Sequence, residues 1–166
     1  IISGAAGRMG RSLVAGVQES NEFTLLGAFE SEGNELLGQD AGELAGIGKA
    51  GVLLSATDKA LIEKAEVMID FSSPSASILN AEICAEFGTA LVIGTTGIDS
   101  EQEDGLRKWA KKVPIFMSPN MSVGMSMLYR LVESAVSTLG KDFDVEIFEA
   151  HHSGKKEAPS GTALRL

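Results

Sequence analysis

Cysteine is almost missing from this sequence, which has a single one, Cys84, in 166 residues. One cysteine excludes an intrachain disulfide scaffold and fits a reducing compartment. Long apolar runs are missing as well: stretches such as residues 90–93 fall far short of the roughly 20 residues that a membrane-spanning helix needs. No positively charged start precedes an apolar segment, so no secretion signal is visible. We therefore expect a cytoplasmic protein with no membrane partner.

Positive charge is also scarce, since 14 lysines and arginines face 23 acidic residues and the net charge is −9. Overall repulsion opposes nonspecific binding to nucleic acid or anionic lipid, so we expect no nucleic-acid partner. A small anion could still bind in a local positive pocket. With 44% hydrophobic residues, the chain has enough apolar material for a core, and disorder is not expected.

Proline is rare, whereas the 19 glycines often stand at the ends of short apolar runs. These runs predict strands at residues 1–3, 23–30, 67–71, 90–93 and 113–117, with a possible small strand at 52–54. Amphipathic stretches between them predict helices at residues 8–19, 57–64, 75–87 and 100–112. Thr57 is the candidate N-cap of the second helix, and Ser100 with Glu103 is a candidate capping box. This alternation predicts an α/β fold, a Rossmann-type doubly wound parallel sheet.

The pattern breaks at residues 118–120, after which an apolar stripe predicts a core-facing helix over residues 125–139 and a strand over 144–150. We expect two domains: a dinucleotide-binding Rossmann domain at residues 1–121, and at 122–166 the start of an α+β domain for substrate binding and oligomerisation. The chain begins without methionine and stops where a further helix begins, so we expect both ends to be cut.

Three glycines, Gly4, Gly7 and Gly10, join the first strand to the first helix. In a dinucleotide-binding turn such glycines permit a tight bend, a close backbone approach to the pyrophosphate and tight helix packing. The spacing is GxxGxxG, which by itself also fits a purely structural turn. Glu30, at the end of the second predicted strand, provides a carboxylate where an adenosine ribose would bind. Together these features predict dinucleotide binding.

Other residues near this turn have two open interpretations. Arg8 and Arg11 flank the glycines and are either phosphate partners or surface charges. Gly94, Thr95 and Thr96 follow the fourth main strand, where a ligand cleft at the carboxyl edge would lie. They either line the nicotinamide side of that cleft or form an ordinary turn.

A second group of reactive residues surrounds the chain's two histidines, His151 and His152, which Lys155 and Lys156 follow. Ser160 or Thr162 is a candidate N-cap of a helix whose free N–H groups would hold a carboxylate. This combination indicates a site for an anionic substrate beside a proton-transfer group. Metal binding is disfavoured, because adjacent histidines are poorly spaced for one ion and no ligand set accompanies them. A plain surface loop is the remaining alternative.

The segment EIFEAH at residues 146–151, followed by Lys155 and by APSGTA at residues 158–163, resembles the signature of the 4-hydroxy-tetrahydrodipicolinate (dihydrodipicolinate) reductase family. Three further segments are similar to that family: GAAGRMGR at residues 4–11, GTTG at 94–97 and SPNMSVG at 118–124. The resemblance therefore extends over the whole chain.

The resemblance implies an enzyme that uses NADH or NADPH to reduce 4-hydroxy-tetrahydrodipicolinate, a small cyclic dicarboxylate, to tetrahydrodipicolinate in lysine and diaminopimelate biosynthesis. It implies that the intact protein is a homotetramer and that its chain continues well beyond this sequence. The implied catalytic residues are His151, as general acid/base, and Lys155, as proton donor. The expected substrate-binding residues are His152, Ser160, Gly161 and Thr162. The implied cofactor contacts are Gly4, Ala5, Ala6, Gly7, Arg8, Met9, Glu30, Gly94, Thr95, Thr96, Ser118, Pro119, Asn120 and Met121.

Two positions depart from the family pattern. Glu157 stands where aspartate is common, and Ser31 stands where an arginine often meets a 2′-phosphate. The serine leads to the hypothesis that NADH binds at least as well as NADPH. Two other functions stay open: another Rossmann-fold dehydrogenase of an amino-acid pathway, or a nucleotide-sensing module without catalysis. An aspartate-semialdehyde dehydrogenase needs a nucleophilic cysteine, and Cys84, in the middle of a predicted helix, is a poor candidate.

Overall fold

The computed structural model describes residues 1–151 and 158–166. These residues form two compact units, Ile1–Met117 and Ser118–Leu166. Four positions discussed above, His152, Lys155, Lys156 and Glu157, lie outside the described residues.

The first unit is built on a six-stranded sheet in which every neighbouring pair of strands is parallel. Its strands are β1 (Ile2–Ser3), β2 (Ala28–Phe29), β3 (Leu54–Ser55), β4 (Val67–Asp70), β5 (Ala90–Ile93) and β6 (Ile115–Met117). Its helices are α1 (Arg8–Glu19), α2 (Ala41–Ala45), α3 (Lys59–Ile62), α4 (Pro74–Phe87) and α5 (Ser100–Trp109).

The strand order in space is β3-β2-β1-β4-β5-β6, which is the doubly wound order of Rossmann folds. The order reverses between β1 and β4, where Ile2 is paired with Ile69 and Ser3 with Asp70. Ligands of such sheets bind outside the carboxyl ends of the strands at this reversal, so the topology itself indicates where to look for a site. The predicted fold class is confirmed.

Two hydrophobic clusters, one on each face of the sheet, make up the core of this unit. The first contains Ile1, Phe29 and Met68 with residues of α3, α4 and α5; the second contains Ile2 and Ala28 with residues of α1 and α2. Adjacent strand residues belong to different clusters because successive side chains point to opposite faces. Helices therefore cover both faces, as a parallel sheet requires.

Helix starts differ slightly from those expected. The capping box of α5 is formed by Asp99 and Gln102 rather than by Ser100 and Glu103, and the N-cap of α3 is Asp58 rather than Thr57. In both cases an aspartate next to the expected residue accepts a hydrogen bond from a free amide of the first turn, that of Gln102 in α5 and that of Ala60 in α3. Aspartate does this as well as serine or threonine. The strand predicted at 23–30 is paired only at Ala28–Phe29.

The second unit contains the helix α6 (Val123–Leu139), a 3₁₀ turn at Gly140–Asp142 and the short helix α7 (Gly161–Arg165). The strand expected at residues 144–150 is not formed: among the described residues no partner strand pairs with it, and a strand requires ladder hydrogen bonds. The apolar stripe of α6 is also not buried, contrary to expectation. Across the described ranges, no helix has the combined length and apolarity needed to cross a membrane.

Candidate functional site

The turn after β1 requires glycine at two positions. Gly4 has a φ of 75°, and a Cβ atom there would lie 2.3 Å from the carbonyl oxygen of Phe71. A Cβ atom on Gly10 would lie 2.1 Å from the carbonyl oxygen of Gly4, so the first turn of α1 packs directly on the bend. Backbone atoms cannot yield as a flexible side chain does, so larger residues are excluded here.

The start of α1 leaves its first amides free of any side-chain cap. Gly7 is the N-cap and has no side chain, and the first helical hydrogen bond joins the Arg11 amide to the Gly7 carbonyl. Uncapped amides at the positive end of a helix attract anions such as phosphate. Arg8 and Met9 are exposed beside them. Arg11 instead donates its Nε–H to the carbonyl of Ala6 over 2.9 Å, which braces the turn.

Glu30 directly follows β2, and its carboxylate is held by two backbone amides. Oε2 accepts a 3.3 Å hydrogen bond from the Ala6 amide, and Oε1 accepts a 3.1 Å bond from the Ser31 amide. The carboxylate thus lies at the carboxyl edge of the sheet, against the glycine turn. Its remaining lone pairs can accept hydrogen bonds from ligand hydroxyl groups.

A cleft of about 650 Å³ opens at this edge of the first unit. Its lining includes Ser3, Gly4, Gly7, Glu30, Ser31 and Phe71. Its location is the reversal between β1 and β4, and its volume is typical of a small-molecule or cofactor site. The first unit therefore has one cleft that combines a glycine turn, uncapped helix amides and a fixed carboxylate.

The segment after β5 reaches the same edge and packs closely on Phe71. A Cβ atom on Gly94 would lie 2.1 Å from Cζ of the Phe71 ring, so the ring rests on the glycine. Thr95 is buried, and its hydroxyl accepts a hydrogen bond from the Ser72 amide at 3.1 Å. Thr96 is exposed. Of the two predicted threonines, therefore, Thr95 is part of the unit's interior.

The polar residues beneath this cleft were not predicted from the sequence. Asp70 and Asn80 are both buried, and the Asn80 side-chain amide donates to the Asp70 carboxylate over 3.0 Å. The available signal was an aspartate at the end of an otherwise apolar strand, Val67–Asp70, since a charged residue is seldom fully buried. It is detectable only once the strand is known to lie in the centre of the sheet.

Predicted residues from two distant parts of the sequence meet in the second unit. The Asn120 side-chain amide donates to the Thr162 hydroxyl over 3.3 Å, and the Ser118 hydroxyl donates to the Asn120 carbonyl over 2.8 Å. A Cβ atom on Gly161 would lie 2.8 Å from Cβ of Pro119, so glycine permits a close approach there. Met121 is partly exposed beside them.

Glu149 connects the histidine to the start of α7. Its Oε1 accepts a 2.8 Å hydrogen bond from the Ser160 amide, its Oε2 accepts one from the Ser160 hydroxyl, and the same Oε2 lies 3.5 Å from Nδ1 of His151. The Ser160 hydroxyl in turn caps α7 by accepting from the Ala163 amide. A carboxylate in contact with Nδ1 orients the imidazole and leaves Nε2 available for proton transfer. Glu149 was not singled out from the sequence.

Cys84 is fully buried in α4, and burial, followed by the nearby charge of Asp70, raises the pKa of its thiol to about 12. A thiol that stays protonated is not a nucleophile, which argues against chemistry through a cysteine. Within residues 1–151 and 158–166, no group of three or more histidine, cysteine, aspartate or glutamate side chains is arranged to hold a metal ion.

A doubly wound parallel sheet with a glycine turn and a carboxylate at its strand reversal defines the first unit as a Rossmann-type domain. The family model described as "Dihydrodipicolinate reductase, N-terminus" matches residues 1–121, and the one described as "Dihydrodipicolinate reductase, C-terminus" matches residues 124–166. The chain belongs to the dihydrodipicolinate reductase family.

Individual proteins agree with the family assignment. The chain is 45% identical over 165 residues to the 4-hydroxy-tetrahydrodipicolinate reductase of Geobacter metallireducens, and 42% identical over 165 residues to that of Citrifermentans bemidjiense. Both comparisons cover 99% of this chain but 62% of the relative, so the chain spans less than two thirds of the length of these relatives. A dipicolinate-bound dihydrodipicolinate reductase from Paenisporosarcina sp. TG-14 is structurally similar, with a TM-score of 0.73 and 27% sequence identity, over 99% of this chain and 62% of that one.

Proposed function

We propose that this chain contributes the dinucleotide-binding domain and part of the substrate-binding domain of an NAD(P)H-dependent 4-hydroxy-tetrahydrodipicolinate reductase. The observation that carries the proposal is the cleft of the first unit, where glycine is sterically required at Gly4 and Gly10 and Glu30 is fixed beside them. Family membership supports this reaction class. The substrate is a small cyclic dicarboxylate, and the solved relative is described as dipicolinate-bound.

The residues of the cleft fit a nicotinamide dinucleotide. A Cβ atom on Gly4 would collide with the carbonyl of Phe71, another residue of the cleft lining, and the uncapped amides of α1 offer donors for a pyrophosphate. Glu30 would accept hydrogen bonds from the adenosine ribose. The other contacts on the first unit are proposed to be Ala5, Ala6, Gly7, Arg8, Met9, Gly94, Thr95 and Thr96. When bound, the cofactor supplies the hydride, and the protein positions the nicotinamide relative to the substrate.

The second unit provides the proton-transfer and anion-binding groups of the proposal. His151 acts as general acid/base, and Glu149 orients its ring through Nδ1. Ser160, Gly161 and Thr162, with His152, bind the substrate, and Lys155 is the proton donor whose charge also stabilises the anionic ring. Ser118, Pro119, Asn120 and Met121 are proposed to complete the cofactor contacts. We assign the dinucleotide-binding role to residues 1–121 and the substrate role to 122–166.

Cofactor choice follows from Ser31, which lines the cleft beside Glu30. Its short neutral side chain offers no cation to a 2′-phosphate, whereas Glu30 favours a free ribose hydroxyl. We therefore propose that NADH binds at least as tightly as NADPH. The two affinities are compared by titrating the protein with each nucleotide and measuring the change in nucleotide fluorescence. A clear preference for NADPH would contradict the proposal.

The reaction itself is tested by following NADH absorbance in a full-length protein that carries these residues. Absorbance should fall when the cyclic hydroxy-dicarboxylate is added, and His151→Gln should lower kcat by about a hundredfold or more with little change in NADH affinity, since general acid/base groups contribute at least that much. Equal losses of turnover and of nucleotide affinity would remove His151 from the chemistry. Nucleotide binding without any turnover would favour a sensing module instead.

A further inference from the structure

Asp70, the last residue of β4, is a carboxylate with no exposed surface. Its oxygens accept hydrogen bonds from four directions: the Ser72 amide at 2.9 Å, the Ser72 hydroxyl at 2.5 Å, the Thr95 hydroxyl at 3.5 Å and the Asn80 side-chain amide at 3.0 Å. Among the described residues, no ion pair involves Asp70. A buried carboxylate without a cation is costly, and neutral donors must compensate for its lost hydration.

The hydrogen-bond network continues from Asp70 to the first strand and to α4. The same Asn80 nitrogen that donates to Asp70 also donates to the Ser3 hydroxyl over 3.0 Å, which connects β4 with β1 at the strand reversal. On the other side, Ser77 of α4 is buried and donates to the Thr95 hydroxyl over 2.9 Å. One carboxylate therefore joins the ends of β1, β4 and β5 to a single helix.

Several members of this network line the nucleotide cleft. Ser3, Ser72 and Asn80 are part of its lining, and Phe71 lies between the two glycines of the neighbouring turns. Because Asp70 holds the residue on the carboxyl side of Phe71, it also determines where the Phe71 carbonyl meets Gly4 and where the ring meets Gly94. The network thus reaches the glycine turn through the backbone of Phe71.

We infer that Asp70 is a positioning residue for the bound dinucleotide, which rests on the function proposed above: its carboxylate holds the loops after β4 and β5 at the spacing that the nucleotide requires, so that the cleft is formed before the nucleotide binds. An apolar residue of similar volume at the same place would avoid burying a charge and would pack well. It could not, however, direct the Ser72 amide, the Asn80 side-chain amide and two hydroxyl groups into one arrangement, and preorganisation of this kind is what improves ligand affinity.

The central variant is Asp70→Asn, which keeps the shape of the side chain and removes one acceptor. While the neighbouring groups keep their present orientations, the new NH₂ group faces another donor whichever way it is turned: either the NH₂ of Asn80 or the amide and hydroxyl of Ser72. A buried pair of facing donors separates the groups that the carboxylate held together. We expect NADH affinity, measured by fluorescence titration of the full-length protein, to fall by about tenfold or more, with a larger rise in KM for NADH than fall in kcat.

Asp40→Asn is the matched control. Asp40 is also a buried carboxylate that accepts only neutral donors, among them the amides of Ala50 and Gly51, but it holds the loop around α2 and is not part of the cleft lining. Both variants should lower the thermal midpoint, whereas only Asp70→Asn should lower nucleotide affinity. A merely structural role for Asp70 predicts that the two variants lose affinity alike, or not at all.

The exchange variant Asp70→Asn/Asn80→Asp tests the geometry directly. It restores one donor opposite one carboxylate, and the Ser3 hydroxyl can rotate to donate to the new aspartate. We expect it to recover most of the NADH affinity that Asp70→Asn loses. An exchange variant that is folded yet binds NADH as weakly as Asp70→Asn would contradict the inference.

A milder variant covers the case in which Asp70→Asn does not fold. Ser77→Ala removes the hydroxyl that donates to Thr95 and leaves the carboxylate in place; we expect about threefold weaker NADH binding. Unchanged affinity in Ser77→Ala together with an unfolded Asp70→Asn would overturn the positioning role. If the unaltered protein binds neither NADH nor NADPH, the proposed function fails and the inference with it; if it binds and the Asp70 variant binds equally well, only the inference fails.

Discussion

At the residue scale, the proposed choice between NADH and NADPH depends on the side chain of Ser31. It lies next to the fixed carboxylate of Glu30 and lines the cleft, so a cation placed there would have direct access to the ribose end of a nucleotide. Serine provides a hydroxyl and no charge. In the cofactor choice that we propose, the neighbouring carboxylate and the neutral serine would together disfavour an extra phosphate group.

Ser31→Arg should therefore shift nucleotide preference toward NADPH. A guanidinium group can form two parallel hydrogen bonds to a phosphate, and we expect the ratio of NADPH to NADH affinity to rise by about tenfold. Gln18→Arg, which adds the same charge to an exposed position of α1, is the control for long-range attraction. An equal shift in both variants would mean that net charge, and not contact with the 2′-phosphate, is responsible.

Cys84 illustrates a residue whose environment suppresses its chemistry. Its pKa of about 12 lies above the ordinary value of 9.0, chiefly because the thiol is buried. The unfolded chain therefore releases this proton at a lower pH than the folded chain does, and the stabilising contribution is complete below pH 9 and is lost as pH rises toward 12.

We expect the free energy of unfolding in urea to decrease with pH above 9, and Cys84→Ala to remove the part of that slope that the thiol causes. Native protein at pH 8 should react slowly with a thiol reagent and rapidly once urea is added. Fast modification of the folded protein at pH 8 would show that the thiol is accessible and that burial does not control its reactivity.

At the scale of elements, Asp40 organises a segment that has little regular structure. Its Oδ1 accepts hydrogen bonds from the backbone amides of Gly42, Glu43 and Ala50, and its Oδ2 accepts one from the amide of Gly51. One side chain therefore caps α2 and holds the loop that follows it. The hydrogen bond from Ala50 is the main reason that the pKa of Asp40 lies below its ordinary value of 3.8, against the opposing effect of burial.

Asp40→Asn should lower the thermal midpoint by several degrees at pH 7, because its NH₂ group would face backbone donors that now meet the carboxylate. The stabilisation by Asp40 is present above pH 3.8 and is lost as pH falls through the lowered pKa. The difference between wild type and variant should consequently shrink below pH 4. Thermal unfolding by circular dichroism from pH 7 to pH 2.5 checks this, and a difference that grows toward low pH would refute the assignment.

For the whole molecule, the two units differ in how their backbones are protected. The first has a parallel sheet between two clusters of buried apolar residues. In the second, residues 144–150 form no regular secondary structure and have no partner strand among the described residues, and Phe143 and Phe148 beside and within them are exposed. Proteases cut where a backbone can enter an extended conformation without breaking structure.

Chymotrypsin should therefore cut this chain first after Phe143 or Phe148. Phe116 is the internal control: its side chain is 59% exposed, close to the 57% of Phe143, but its backbone is in β6 and paired with Val92. Mass spectrometry of brief digests should reveal a stable product that contains the whole first unit. Cutting after Phe116 at the same rate would mean that side-chain exposure alone controls cleavage.

The fold class and the position of the glycine turn were both predictable from the amino-acid sequence. Alternating apolar runs and amphipathic stretches reflect burial of strands on both faces and of helices on one, and this pattern is local, so it is visible in the sequence. The roles of Gly4 and Gly10 also follow from spacing, because the bend between a strand and a helix involves neighbouring residues. Helix starts were misplaced by one residue where an aspartate competed with serine or threonine for the same free amide.

Tertiary structure alone decided which residues meet across the chain. The contact of Phe71 with Gly4 and Gly94, the network around Asp70, and the hydrogen bonds between Glu149 and Ser160 join positions that no local pattern connects. It also showed that residues 144–150 have no partner strand among those described, although their composition favours a strand. The physical reason is common to all of these cases. Hydrogen bonds and packing between distant segments depend on which elements become neighbours in space, whereas a sequence pattern indicates only the secondary structure that each segment prefers locally.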